Sequence, residues 1–566
     1  MTGCYLAAQF GGNLRDMAGT WIKPQGGVMG WFDRLKSSKI VDKGNAGHAS
    51  EGEQNAMGLL EKGSFLEQQG LLDDALSLYD KAIRLAPDFA KAHFYRGNIL
   101  LEKGDAEAAQ AAYEKALLYK PDSAPAHYNL GNAYLRMGRH LAAVAAYQQA
   151  LRLKPDFTDV EVALGVAQEE LGQLEAAAAS YRRALALRPD YVEVHLNLGA
   201  ILIRLGRNDT AEASYRRALE IKPDDVETLK TLGKLLIDLR RPADAEVTFL
   251  QALAIEPDHS EVLNFLGATQ KSQGKFEDAA ASFRRILEIN PESVLAHNNL
   301  GVALRSLGQL DPAAQCCRQA LQIDPDFVEA HHNLGNILTT LGQTDRALES
   351  YNRALEINPN FVDAINGMGL AFFEMGRFDD AVKNYQQALA LKPDFAFAHA
   401  NLGHVLQALG QFELAQKSIR RALELDPDFG NAYDTLLFMH NYLGDMLASL
   451  MLVEARRYGE MVARLSMPYT EWSNPPDAGR PLRIGLVSGD LCYHPVGFFA
   501  EGILAALAAR GEHLALYGYP TRYSSDETSE RIKSSCRGWY CVAGLSDAQL
   551  AERIRADRID ILIDLS

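Results

Sequence analysis

Along most of the chain, apolar positions fall into pairs of helical stretches. Each pair is closed by a proline and repeated without insertion. In one such unit Ala126 to Met137 carries apolar residues at helical spacing, Gly138 breaks the run, and Leu141 to Leu153 resumes it. Pro155 ends the second stretch, because proline lacks an N–H and clashes with the preceding turn. Proline recurs at 87, 121, 155, 189, 223, 257, 291, 325, 359, 393 and 427, always 34 residues apart. Glycine keeps the same step from Gly63 to Gly403, and alanine from Ala75 to Ala415. Three residue types in phase over eleven units predict a continuous array of helix–turn–helix repeats at 56–429. Positions such as Gly131 and Ala143 must be small so that paired helices approach closely, while Tyr147 supplies bulk. One hairpin cannot bury its apolar faces alone, so neighbouring units must stack.

This pattern resembles the tetratricopeptide-repeat (TPR) family. The resemblance implies an α-solenoid whose concave surface binds extended peptides or partner proteins; it specifies fold far more closely than function. Asn129, Asn197, Asn299, Asn333 and Asn401 share one slot, two residues before the repeating glycine. An amide carries both a donor and an acceptor, so a ladder of them can hold a peptide main chain without reading its side chains. Six histidines, His93, His127, His195, His297, His331 and His399, also share one slot. Taken out of phase they look like metal ligands; in phase they are expected to pack. Cys317 stands where other repeats carry Tyr147 or Phe283 and is expected to be a small core residue.

After Pro427 the pattern decays. Asn431 to Tyr442 and about Met446 to Leu465 still read as helices, and Ser466 to Pro481 reads as a linker rich in proline and polar residues. Residues 430–480 are therefore a degenerate repeat and linker. From Leu482 the period changes. Leu482 to Ser488, His513 to Tyr519, Trp539 to Val542 and Ile559 to Leu565 read as strands, with the first and last buried. Gly497 to Arg510, Ser525 to Cys536 and Ser546 to Ala556, the last capped by Ser546, read as the helices between them. Alternation of this kind predicts a parallel α/β sheet, and such sheets bind ligands beyond the carboxyl ends of their strands. Two places there carry candidate chemistry: Asp490 and His494 in the loop after the first strand, and Asp564 at the end of the last. A histidine beside carboxylates suits acid–base work. The first loop lacks GxGxxG, which excludes a dinucleotide fingerprint.

Charge and composition narrow the partners. The chain has 57 Lys and Arg against 73 Asp and Glu, a net charge of −16. No basic run is present, which argues against nucleic acid and anionic membranes as ligands. The six cysteines show no metal-ligand spacing, and so few in so long a chain point to a reducing compartment. Residues 1–55, rich in glycine and polar residues, are expected to be disordered and show no secretory signal. A cytoplasmic location is the expectation.

The segments LLFMHNY at 436–442, RIGLVSGDLCYHPVGFF at 483–499 and ADRIDILIDLS at 556–566 resemble the bacterial O-linked N-acetylglucosaminyltransferases. That family joins a TPR superhelix to a GT-B glycosyltransferase module. The resemblance implies metal-independent, inverting transfer of GlcNAc from UDP-GlcNAc to Ser or Thr of proteins held in the groove. His494 matches the family's active-site histidine near the acceptor hydroxyl, Asp564 the aspartate before its Gly-His-Thr loop, and the asparagine slot its peptide-gripping ladder. The pattern departs from the family in lacking, within 481–566, the Gly-His-Thr loop and a second Rossmann-like half. The expectation is therefore a C-terminally truncated enzyme whose isolated chain is inactive. The competing expectation is a TPR scaffold with a vestigial α/β domain. A receiver-like domain would need an acid cluster with a distal lysine, which the sequence does not show.

Overall fold

The computed structural model describes residues 51–440, 442, 448–465, 474, 479–511, 513–522, 526–543, 545 and 547–565. Residues 1–50 of the expected lead-in, and the Ser546 cap, lie outside them. The chain is a mainly helical TPR solenoid with a small parallel four-stranded sheet near its C-terminal end. The described residues divide between two compact units, 51–262 and 263–565.

Every repeat is built alike. In one, helix Ala124–Arg136 is followed by helix His140–Leu153. Gly138 takes φ +71° at the break, where its own N–H and that of Arg139 satisfy Leu135 O and Tyr134 O at the helix end. Among the described residues, only one inter-helix turn with this geometry lacks glycine: Arg240 adopts φ 59°. Gly131 faces Tyr147 so closely that a Cβ would come within 2.4 Å of the ring. Tyr147 is fully buried and its hydroxyl donates to Asn132 Oδ1 at 2.7 Å. The glycine slot and the aromatic slot are thus one packing device. Cys317 occupies the aromatic slot of its repeat and is fully buried, with burial pushing its thiol up to about 12.

In 51–262 the first helix, Glu51–Gln68, begins five residues before the expected start of the array, so 51–55 are helical rather than disordered. Neighbouring repeats here share apolar clusters, such as the one that runs from Ala124 to Ala167, and ion pairs add to them. Glu212 accepts from Arg241 at 2.9 Å and Lys230 donates to Glu261 at 2.7 Å between repeats, while Glu161, 5% exposed, accepts from Arg183 Nε at 2.7 Å within one repeat.

In 263–565 the regular repeats run on to helix Phe412–Leu425 and are followed by Gly430–Met439 and Ala448–Leu465. Glu454 of the latter pairs with Arg420 at 2.7 Å, which ties Ala448–Leu465 to Phe412–Leu425. The sheet follows: β1 Leu482–Ser488, β2 Leu514–Pro520, β3 Gly538–Trp539 and β4 Ile561–Asp564, ordered β3-β2-β1-β4 with every pair parallel. The helices between them are Pro495–Ala508, Glu527–Ser534 and Asp547–Ala556. Two expectations need correction. The third strand is two residues long, because only Gly538 and Trp539 are in register with β2. The last strand is not buried: Ile561, Leu562 and Ile563 are all exposed, since β4 pairs with β1 alone among the described strands.

Asp560 pins the sheet to the preceding linker. It accepts from Arg480 through both guanidinium nitrogens (2.6 and 2.5 Å), from Arg483 N and from Asn474 Nδ2. The Arg480 bonds hold its carboxyl well below the usual carboxylate range.

Candidate functional site

The sheet order creates a switch point. From β1 the chain moves to β2 on one side, and after β3 it returns to β4 on the other. The crevice between the carboxyl ends of β1 and β4 is where such sheets bind ligands. His494 stands in the loop leaving β1, and Asp564 ends β4 opposite Val487. Asp564 is exposed.

The loop is held in shape by residues the sequence pattern did not single out. Ser488, fully buried at the end of β1, donates to Leu565 O at 3.3 Å and accepts from Asp490 N at 3.0 Å. It therefore ties together the exits of β1 and β4. Asp526 caps helix Glu527–Ser534 and also accepts from Tyr493 N at 3.0 Å. Gly497 lies so close to Cys492 that a Cβ would meet its carbonyl oxygen at 2.1 Å. The glycine is therefore required by the backbone path that delivers His494. The HPVG spacing could have pointed to that requirement; the roles of Ser488 and Asp526 depend on long-range contacts that no local pattern carries.

His494 caps helix Pro495–Ala508, its Nδ1 accepting from Val496 N at 3.3 Å. The proton of a neutral ring then sits on Nε2. Asp490 Oδ2 approaches Nδ1 to 3.6 Å, and Arg522 donates to the other Asp490 oxygen at 3.1 Å. The loop thus assembles a histidine, a carboxylate and a guanidinium at the strand ends, a set able to orient hydroxyl groups and anionic oxygens.

In the solenoid, four of the five ladder asparagines are bound to the preceding repeat through Nδ2: Asn129 to Asn98 (2.8 Å), Asn299 to Asn264 (3.1 Å), Asn333 to Asn298 (2.9 Å) and Asn401 to Asn366 (3.1 Å). Asn197 lies beside Tyr181. Asn129, Asn197, Asn299 and Asn401 are half-buried, whereas Asn333 is only 8% exposed and presents little surface to a ligand. The six repeat histidines prove to be turn staples. Each ring Nε2 lies 2.8–3.1 Å from the carbonyl oxygen of the proline six residues earlier, as His127 does from Pro121. That bond explains their recurrence without a metal.

Comparison with known proteins is consistent with the repeats. A sequence model of the cilia and flagella-associated protein 70 C-terminal domain matches residues 157–364, and tetratricopeptide-repeat models match 50–90, 60–109, 97–138, 124–157, 369–410 and 396–429. The probable UDP-N-acetylglucosamine–peptide N-acetylglucosaminyltransferase SPINDLY of Oryza sativa subsp. japonica is 29% identical over 128 residues, 22% of this chain. That of Eustoma exaltatum subsp. russellianum is 31% identical over 134 residues, 23% of this chain. The matched segments span only 14% of the length of each of these proteins. Among solved structures, a point mutant of the Thermobaculum terrenum O-GlcNAc transferase is 33% identical with a TM-score of 0.38, covering 42% of this chain and 46% of that one. Yeast Tom70 is 16% identical with a TM-score of 0.38, covering 73% and 99%. The chain is a TPR-repeat protein with weak, partial similarity to O-GlcNAc-transferase-type proteins.

Proposed function

We propose that this chain serves protein O-glycosylation: its repeats hold extended polypeptide, and its α/β segment forms part of a site that transfers GlcNAc from UDP-GlcNAc to a Ser or Thr hydroxyl. The observation that carries this reading is the switch point, where the loop with His494 and the strand ending in Asp564 leave adjacent strands on the same edge of the sheet. With Nδ1 engaged by Val496, His494 offers Nε2–H outward, a group suited to orienting the acceptor hydroxyl or the sugar rather than to removing a proton. The test is sugar transfer from UDP-GlcNAc to host proteins by the product of the complete reading frame. His494→Ala is expected to abolish transfer while peptide binding by the repeats persists; transfer at the unchanged rate overturns the role of His494.

The adaptor reading rests on the same half-buried asparagine ladder, which needs no chemistry beyond binding. Peptide binding by the complete product with no sugar transfer under any donor would establish it over the enzyme.

A further inference from the structure

From Leu263 onward a second asparagine column stands one residue before the ladder slot, at Asn264, Asn298 and Asn366. Each accepts, through Oδ1, the Nδ2–H of the ladder asparagine in the following repeat, at 3.1, 2.9 and 3.1 Å. A side-chain amide has a single acceptor oxygen and an NH2 with two hydrogens. Anchoring the NH2 to the preceding repeat fixes which way the amide is flipped and turns its oxygen away from that anchor. An unanchored asparagine would offer either end to a ligand and would lose that freedom on binding. The Asn333–Asn298 pair is buried at both members, 8% and 6% exposed, and is structural. Asn299 and Asn401 are half-buried and remain open to a ligand.

We infer that Asn264 and Asn366 are positioning residues of the peptide groove, each holding the next repeat's ladder amide so that its oxygen accepts an N–H from the main chain of a bound extended polypeptide. The inference rests on the peptide-groove reading proposed above. It makes the groove after Leu263 a receptor for backbone donors, indifferent to side chains and sensitive to removal of peptide N–H groups. Leucine is a natural occupant of the second-column slot, at Leu60 and Leu196, so it can replace asparagine there without breaking the repeat.

The test uses the full chain and a fluorescein-labelled, Ser/Thr-containing 15-residue peptide selected against it from a random library, with affinity read by anisotropy. Asn264→Leu with Asn366→Leu is expected to weaken binding about tenfold. Asn264→Asp with Asn366→Asp retains the acceptor and is expected to bind within about twofold of the wild type. N-methylating alternate peptide amides is expected to weaken binding to the wild type and to leave the weak binding by the leucine pair nearly unchanged. If the leucine pair binds like the wild type, or the aspartate pair binds as poorly as the leucine pair, the positioning role is wrong. Asn299→Ala with Asn401→Ala separates the two levels: wild-type binding by that pair, or failure of any peptide to be selected, overturns the groove itself and the inference with it.

Discussion

The repeats and the α/β segment finish their interiors in opposite ways. In a repeat each apolar slot meets a partner supplied within the same 34 residues or the next, as Gly131 meets Tyr147. In the α/β segment the helix Pro495–Ala508 leaves Phe499 at 79% and Ile503 at 62% exposure, and β4 shows apolar residues on both faces. A solenoid is completed by its own repetition. A sheet depends on partners from distant segments, so its local sequence says less about what covers it. The same division separates the chemistry: the repeats present one element many times, and the strand ends gather different elements once.

The largest effect should come where backbone meets backbone. Gly497→Ala is expected to cost about 3 kcal/mol, because its Cβ meets the Cys492 carbonyl rather than a side chain that can turn aside. Hydrogen exchange should show the loss confined to 482–565, with the repeats unaffected; uniform loss would erase the contrast between the regions.

Acid should separate them next. His332 packs half-buried against Phe361 and Tyr351, and desolvation of its ring depresses it to about 3. A folded value below the unfolded one, about 6.5, gives stability that is full above that pH and is lost as pH falls towards the folded value. The loss should reach about 2 kcal/mol at pH 5 for the repeats around it. His332→Phe, which copies Phe94 in the same slot, should abolish that slope in urea titrations. Asp560 is also depressed, through Arg480, but its unfolded value is about 3.9. The stability it contributes is therefore complete at pH 5 and is lost only as pH falls below about 4. Acid should loosen the His332 repeats before it releases the sheet, and the reverse order would contradict both assignments.

A smaller cost is expected from Gly131→Ala, about 2 kcal/mol, since the Tyr147 ring at 2.4 Å has to give way. Thermal melting should detect it, with exchange protection falling in that repeat and its neighbours. The smallest effect runs the other way. Among the described residues Arg240 alone holds a left-handed inter-helix turn without glycine, so Arg240→Gly should stabilise the repeats by about 1 kcal/mol; an unchanged urea midpoint would mean that the arginine side chain offsets the strain.

The phase of Pro, Gly and Ala made the repeats legible because each 34-residue unit carries its own turns, caps and packing partners. It also marked the histidine slot, although the bond from each ring to a proline carbonyl emerges only when the turn is folded. The alternation after Leu482 showed strands and helices, and the HPVG run marked the loop with His494. What sequence alone determined was therefore whatever is local and repeated: helix boundaries, turn glycines, and asparagines and histidines in register. Tertiary structure decided the rest. It set β1 between β2 and β4, brought Ser488 and Asp526 to the strand-end loop, exposed a final strand expected to be buried, and tied four of the ladder asparagines to partners some 31–35 residues away. The physical reason is range: a hydrophobic period records which face of an element is buried, but not which distant element covers it.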